Sequence, residues 1–526
     1  MKSHLLYPDR DFNPEWGMLR SSPSPQRWLN RDYDKMWSSF PEYMQMAAQD
    51  LELDILFQSM ACGDKFLFEV AKNVLFTTET DIETILYRQD ILRDCTANPE
   101  VVRKIYRIVV ELIEEHLNGL KWYSGKTADS VRSTSVCALE LFADALLELK
   151  KIAEEDSERF QSAGFKEFFA MLKREMPEEY RSSLMEKFEE LSFKNGIFTN
   201  VELGKGNKGI NYTLQKYQKI KNPGWLSRLL STGSPSQYSF SIADRDIAGF
   251  RTLAELKGKS MSVVSGILLN SSDHIYSFFI SLKTELAFYI GCLNLRDYLI
   301  SIGSPLSFPV PAEHGGGDFS FKELYDVCLT LQKEERVVGN DVGADDMDLI
   351  IITGANRGGK STFLRSIGVA QLMMQCGSFV PAESFCSGIC TGIYTHFQRG
   401  EDYDMKCGKY DEELRRMSEI VDHLKPGGLV LFNESFAATN EREGSEISRQ
   451  IVCALLKRRI KVVFVTHLYE FSQSLYEKNM ENALFLRAER KNSGERTFRM
   501  KKGEPLQTSY GRDLYDKIFE NFYKPL

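Results

Sequence analysis

The sequence predicts a multidomain fold, mostly α-helical through a long N-terminal lever/core region and α/β from about residue 319 onward. Three observations carry this. The 526 residues leave room for two to four domains of ordinary size, and an apolar content of 43% supplies them with cores. From Ala48 to Glu190, and again from Ile242 to Leu299, apolar residues recur every three or four positions, the period of amphipathic helices. Near Leu349 the pattern changes to a β-branched run, a glycine loop and a second apolar segment, which reads as strand, tight turn and helix.

Residues 1–47 are rich in Pro, Ser, Trp and Tyr and read as an N-terminal arm lying on the surface, docked by Trp16, Trp28 and Trp37. The helical core/lever domain takes 48–318. Helices are expected over Asp81–Cys95 and Pro99–Leu120, with Asn98-Pro99 as cap and first turn, and over Glu148–Lys173 and Pro177–Leu191. A small clamp-like basic hairpin interrupts them at 192–230. Phe193–Leu203 holds strand-like pieces around an Asn195-Gly196 turn. Gly204–Leu230 then carries Lys205, Lys208, Lys216, Lys219, Lys221 and Arg228 without an acidic residue, interleaved with Tyr212, Tyr217 and Trp225. Basic residues among aromatics suit a phosphate backbone; a solvated hairpin tip is the other reading. Long helices return over Ile242–Leu299, with Leu282, Leu286, Tyr289 and Cys292 on one stripe, and stop at the Gly/Pro-rich linker 303–317. The α/β domain fills 319–526.

Composition limits the partners. A net charge of -8 does not attract nucleic acid in bulk, so DNA contact needs a local basic patch. The ten cysteines are scattered. Cys386 and Cys390 are the closest grouping, with no second pair or histidine at zinc spacing, which argues against a zinc site and for a reducing compartment. No apolar run reaches membrane length and the N-terminus lacks a signal-like apolar core, so a cytoplasmic location and no membrane partner are expected.

The stretch Leu349–Arg365, LIIITGANRGGKSTFLR, has the G-x-x-x-x-G-K-S spacing of a phosphate-binding loop. Gly354, Ala355, Asn356, Arg357, Gly358 and Gly359 can curl so that successive N–H groups face one anion. The helix opened by Lys360, Ser361 and Thr362 adds its positive end. Lys360 suits the β- and γ-phosphates and the Ser361 hydroxyl suits Mg²⁺, so ATP and Mg²⁺ are the expected ligands. Two more strands point to the same edge of a parallel sheet, where ligands collect. Gly428–Glu434, GLVLFNE, ends in Asn433, an acceptor for Mg²⁺-bound water, and Glu434, the candidate base. Ile460–Val465 ends at Thr466-His467, where His467 can contact the γ-phosphate or the attacking water.

Together these residues resemble the ATPase domain of the MutS mismatch-repair family. Ile352–Ala382 is similar to that family's phosphate loop and following helix, Asn433–Gly444 to its acidic pair, Val465–Phe471 to its Thr-His strand end, and Lys501–Leu514 to its Ser-Tyr-Gly element. The resemblance covers about 320–515 and, more weakly, 51–120 and 261–310, which look like the family's core and lever helices. It implies an α/β P-loop ATPase domain and a homodimer with two facing ATP sites, closed by ATP so that the levers move. The span before residue 50 is too short for the family's mismatch-reading and connector domains, and the F-x-E triplets at Phe40–Glu42 and Phe188–Glu190 are at chance level. The sequence also departs from the family pattern. It has Asn433 for an aspartate, Phe436, Ala437 and Ala438 for an arginine and glycines, Gly408-Lys409-Tyr410 for a serine signature, and Arg357 for a methionine.

The expected function is an ATP-dependent DNA-binding protein that hydrolyses ATP to switch a dimeric DNA clamp, in repair or recombination. Its substrate would be branched or distorted DNA, not a mispair. The alternative is a nucleotide-switched scaffold ATPase that binds protein partners, against which the basic run argues. An ABC-type or chromosome-organising ATPase would need an LSGGQ-like signature or long heptads, and neither is present.

Overall fold

The computed structural model of the chain describes residues 1–10, 41–122, 127–177, 180–191, 193, 198–215, 241–243, 245–313, 317–398, 408–491 and 495–506. Trp16, Trp28, Trp37, the Asn195-Gly196 turn, Lys216, Tyr217, Lys219, Lys221, Trp225, Arg228 and the Ser509-Tyr510-Gly511 element lie outside them. The helices in chain order are α1 (Glu42–Asp50), α2 (Leu53–Ala61), α3 (Lys65–Phe76), α4 (Ile82–Ala97), α5 (Pro99–Trp122), α6 (Ala128–Asp156), α7 (Ala163–Glu175), α8 (Tyr180–Leu191), α9 (Ile247–Ser301), α10 (Val327–Lys333), α11 (Lys360–Gln375), α12 (Lys409–His423), α13 (Glu441–Lys457) and α14 (Tyr469–Tyr476). The strands are β1 (Phe198–Leu203), β2 (Gly209–Gln215), β3 (Val310–Ala312), β4 (Phe319–Leu324), β5 (Asn340–Gly343), β6 (Leu349–Thr353), β7 (Ser384–Gly388), β8 (Ile393–Phe397), β9 (Leu429–Asn433), β10 (Lys461–Val465), β11 (Ala483–Arg490) and β12 (Arg496–Lys502). Two compact units result. One comprises Met1–Lys2, Arg107–Ser157 and Phe169–Lys283; the other comprises Ser3–Tyr106, Glu158–Phe168 and Thr284–Leu526.

The first unit is helical, with one ribbon. Val136 and Leu139 of α6 pack on Leu268 of α9, joined by the half-buried Leu191, Val264 and Ile275. The rings of Tyr276 and Phe142 lie tilted against His116, with centroids 4.7 and 5.0 Å from the histidine. The Thr127 hydroxyl accepts from the Ser130 N–H and caps α6. Strands β1 and β2 form an antiparallel hairpin whose turn is Gly204–Lys208, closed by the Gly204 N–H to the Lys208 carbonyl. Helix α9 is long and apolar enough to cross a membrane, yet 78% of its most apolar window is buried within the protein, as in a core helix.

The second unit holds two sheets. A six-stranded sheet runs β12-β11-β6-β10-β9-β8, and a four-stranded sheet runs β3-β7-β4-β5. In the larger sheet all neighbours from β11 to β8 are parallel, and β12 alone is antiparallel, at the edge. The strands read as apolar runs (LIIIT, LVLFN, KVVFV) because they are covered on both faces. Leu349, Ile351, Val430, Phe432, Val462 and Phe464 pack one face against α12, α13 and α14. Asn98 starts α5 through its backbone carbonyl, which accepts from the Val102 N–H, and Pro99 takes the first turn as expected.

Two expectations are corrected here. Residues 3–7 do not lie on the surface. Leu5 and Leu6 are fully buried; the Leu5 N–H donates to Glu285 at 2.7 Å, the Tyr289 hydroxyl donates to the Leu5 carbonyl, and Arg88 donates to the Leu6 carbonyl at 2.9 Å. The apolar pair Leu5-Leu6 is too short to show a period, so its burial was illegible. The helix expected over Glu148–Lys173 is broken between α6 and α7. There the Asp94 carboxylate takes the Gln161 and Ser162 N–H groups, which a continuous helix would have used internally.

Removing residues 1–7 is expected to destabilise the second unit, on the order of 3–5 kcal/mol, because Glu285 and Arg88 each lose a partner while buried. Urea unfolding of the shortened chain checks this, and an unchanged midpoint would contradict it.

Candidate functional site

Parallel pairing sets the site. Val465 lies beside Ile352 on one side and beside Asn433 on the other, so β6, β10 and β9 end together. The pairing continues one residue beyond the strands: the Thr466 N–H donates to the Ile352 carbonyl at 3.0 Å, and the Glu434 N–H to the Val465 carbonyl at 2.9 Å. The loop after β6, the pair Asn433-Glu434 and the pair Thr466-His467 therefore share the C-terminal edge of the sheet. The expected site residues are brought together there.

The loop has the backbone that its glycines allow. Gly354 has φ +113° and Gly359, at the start of α11, has φ +88°. A Cβ at Gly358 would meet the Ala355 carbonyl and the Ala488 methyl, both at 2.8 Å. Arg357 adopts φ +58°, an uncommon conformation for a residue with a Cβ. Asn356 and Arg357 are exposed at the tip, Ala355 is buried, and Thr362 is half-buried on the first turn of α11.

Lys360 is buried, and its ammonium donates to the carbonyls of Gly354 at 3.0 Å and Ala355 at 3.3 Å. Burial lowers its pKa; Glu434 opposes this shift and Arg496 adds to it. The Ser361 hydroxyl donates to Asn433 Oδ1 at 2.8 Å. Glu434 is held by one residue at both oxygens: Oε1 lies 3.0 Å from His467 Nε2, and Oε2 accepts the His467 N–H at 3.0 Å. Lys360 Nζ is 3.4 Å from His467 Nε2 and 3.9 Å from Glu434 Oε1. An ammonium only donates and a carboxylate only accepts, so a hydrogen on Nε2 goes to Glu434, while Lys360 uses the loop carbonyls.

This geometry fits the groups expected. An anion at the loop meets backbone N–H groups, a helix N-terminus and an ammonium that can leave its carbonyls. Ser361 Oγ and Asn433 Oδ1 are adjacent hard oxygen donors of the kind Mg²⁺ takes alongside phosphate. Among the described residues no group of three His, Cys, Asp or Glu could cage a metal without such help. Beside the loop lies a pocket of about 380 Å³, lined by Tyr325, Leu329, Val338, Phe363 and Phe498 with Arg357, Gly359 and Thr362. It has the mixed apolar and polar wall that a ring ligand needs. Sequence reasoning missed it, because its wall comes from segments that share no local pattern. The one signal was a Phe498 next to basic residues on the β12 edge strand.

The basic residues are placed elsewhere, in the first unit. Lys205 and Lys208 are exposed in the β1–β2 turn. Lys259 of α9 adds a cation that sequence reasoning missed, 5.4 Å from the Tyr212 ring of β2.

Fold and site together define a class: an α/β sheet that carries a phosphate-binding type of loop and an acid–histidine pair at its C-terminal edge. Comparison with known proteins narrows it. A family model described as MutS2 N-terminal domain matches residues 80–302, and one described as MutS domain V matches residues 350–517. Among curated proteins, MutS protein homolog 4 of Mus musculus is 25% identical over 292 residues, 52% of this chain and 29% of that protein. The DNA mismatch repair protein MutS of Leptospira interrogans is 29% identical over 229 residues, 41% of this chain and 26% of its own length. That of Porphyromonas gingivalis is 34% identical over 148 residues, 27% and 17% respectively. The chain thus spans less than a third of the length of these relatives. It belongs to the MutS-like family.

Two outcomes follow from the geometry. Lys360→Ala is expected to weaken ATP binding and abolish turnover while leaving the fold intact, since the ammonium's neighbours are the loop carbonyls and the Glu434–His467 pair of the same site; a fluorescent-nucleotide titration with a melting curve checks both. Asn433→Asp keeps the acceptor for Ser361 and adds a charge, so it should lower the Mg²⁺ needed for half-maximal ATPase. An unshifted Mg²⁺ titration would mean that Ser361 and the phosphates hold the metal without help.

Proposed function

We propose that this chain is an ATP-dependent DNA-binding protein of MutS-like type, which hydrolyses ATP to switch a dimeric DNA clamp in repair or recombination. One observation carries the reading: Lys360, Ser361, Asn433, Glu434 and His467, from three separate strand ends, meet within hydrogen-bonding reach at one sheet edge. In this reading the loop N–H groups and Lys360 neutralise phosphate charge. Ser361 and Asn433 hold Mg²⁺, which when bound draws charge from the β- and γ-phosphates. Glu434 takes the proton of the attacking water, and His467 fixes its carboxylate at both oxygens. Asn433 brings no charge to the metal, so turnover is slow. The names of the relatives support a role related to DNA mismatch repair, and the resemblance supports a homodimer of facing sites. The DNA contact is assigned to Lys205, Lys208 and Lys259 with the further basic residues up to Arg228.

A second reading is favoured by a specific observation. The β1–β2 ribbon exposes Phe198, Val201, Leu203 and Ile210, with Leu203 77% exposed. Apolar side chains on an uncovered ribbon suit a protein partner, which is what a nucleotide-switched scaffold would bind.

Binding of the purified chain to homoduplex, mismatched, junction and single-stranded DNA, with and without ATP, separates the two. The clamp reading predicts binding that weakens with salt and is strongest on branched DNA; no binding at low salt leaves the scaffold. Glu434→Gln should keep ATP bound but slow hydrolysis by about 10²-fold. Changing Lys205, Lys208, Lys216 and Lys219 together to Gln should weaken DNA binding and reduce the log–log salt slope by roughly 0.9 per lost duplex contact. A parental slope would place the DNA site on the helices instead.

A further inference from the structure

Behind the sheet edge lies a buried acid that no step above uses. Glu413, in the second turn of α12, is 3% exposed. Its Oε2 accepts the Phe436 N–H at 2.8 Å, while Oε1 has no hydrogen-bond partner among the described residues. Burial raises its pKa, against the lowering effect of the Phe436 N–H and the nearby charges of Lys409 and Arg416. A carboxyl group at that depth, given one backbone hydrogen bond, is poor value for stability.

Its partner explains its place. Phe436 has φ +62° and Glu434, two residues earlier, has φ +54°; both are left-handed positions that a residue with a Cβ seldom takes. Such a backbone persists only where its surroundings hold it. Between them, Ser435 is fully buried, and its one hydroxyl hydrogen is shared between His396 Nδ1, 2.7 Å away, and the His396 carbonyl. His396 Nε2 lies 2.9 Å from the Glu413 carbonyl, which can only accept, so the hydrogen sits on Nε2. The ring of His396 stacks on Phe436 with centroids 5.0 Å apart. Glu413 thus holds the segment after Glu434 directly through its side chain, and again through its backbone by way of His396 and Ser435.

We propose that Glu413 is a positioning residue: it fixes the left-handed turn that presents Glu434 to His467, and so makes hydrolysis sensitive to the placement of α12. The inference rests on the reading of Glu434 as the base. Helix α12 begins at Lys409, four residues before Glu413, so a partner that moves its first turn moves the base with it.

Two variants test this. Glu413→Gln keeps an acceptor for the Phe436 N–H, and Glu413→Met keeps the volume but not the acceptor. Glu413→Met is expected to lose kcat by roughly tenfold or more with nucleotide Kd unchanged, and Glu413→Gln to stay within about threefold of the parent. In a Glu434→Gln background, Glu413→Met should add no further loss, because it acts through Glu434. A parental kcat in Glu413→Met, a loss confined to Kd, or a full additional loss in the Glu434→Gln background would overturn the proposal. Glu434→Gln hydrolysing like the parent would instead overturn the base assignment, and this inference with it.

Discussion

The backbone hydrogen bonds that run across β6, β10 and β9 hold the candidate site together. In a parallel sheet the register decides which residues end side by side, and here it aligns Ile352, Val465 and Asn433. The bonds from Thr466 to Ile352 and from Glu434 to Val465 extend the alignment past the strands. No side chain at the edge could find its partner otherwise: Ser361 and Asn433 are 72 residues apart, and Glu434 and His467 are 33 apart. A slip of one residue would turn every strand side chain to the other face, which both packed faces resist. The apolar cluster of Val430, Phe432, Val462 and Phe464 is therefore what makes the polar edge accurate.

The edge itself is less comfortable. Arg357, Glu434 and Phe436 all take positive φ, and the Lys360 ammonium is buried against two carbonyls. Conformations of this kind cost of order 1–3 kcal/mol each and are kept where the surroundings over-determine them. Glu413 and the His396–Ser435 pair supply that restraint from behind, and His467 supplies it in front. The result is a carboxylate held at both oxygens, near an ammonium, at the mouth of an anion cradle. In the proposed reading this is the carboxylate that activates water, oriented by fixed neighbours.

The glycine loop between β6 and α11 was legible in the sequence because its requirements are local: glycines at fixed offsets between an apolar strand and a helix. The ends of β9 and β10 were legible for the same reason, as short apolar runs that stop at Asn433-Glu434 and Thr466-His467. What could not be read depends on distant partners. The burial of Leu5 and Leu6 requires Glu285, Tyr289 and Arg88. The break before α7 requires Asp94. Glu413 reads as one more charge on a polar helix, and only the fold shows that it faces Phe436. The β1–β2 hairpin turns at Gly204–Lys208, inside the glycine-rich basic run; the Asn195-Gly196 turn lies outside the described residues.

The central claim is that one sheet edge forms a nucleotide site from three strand ends at once. Amide hydrogen exchange with and without Mg²⁺·ATP tests it most directly. The account predicts that peptides covering 354–362, 433–436 and 466–468 slow together on ATP addition, while the opposite ends of the same strands, at Leu349, Leu429 and Lys461, exchange as before. Unchanged exchange at the loop, or protection of the loop without the other two segments, would contradict it.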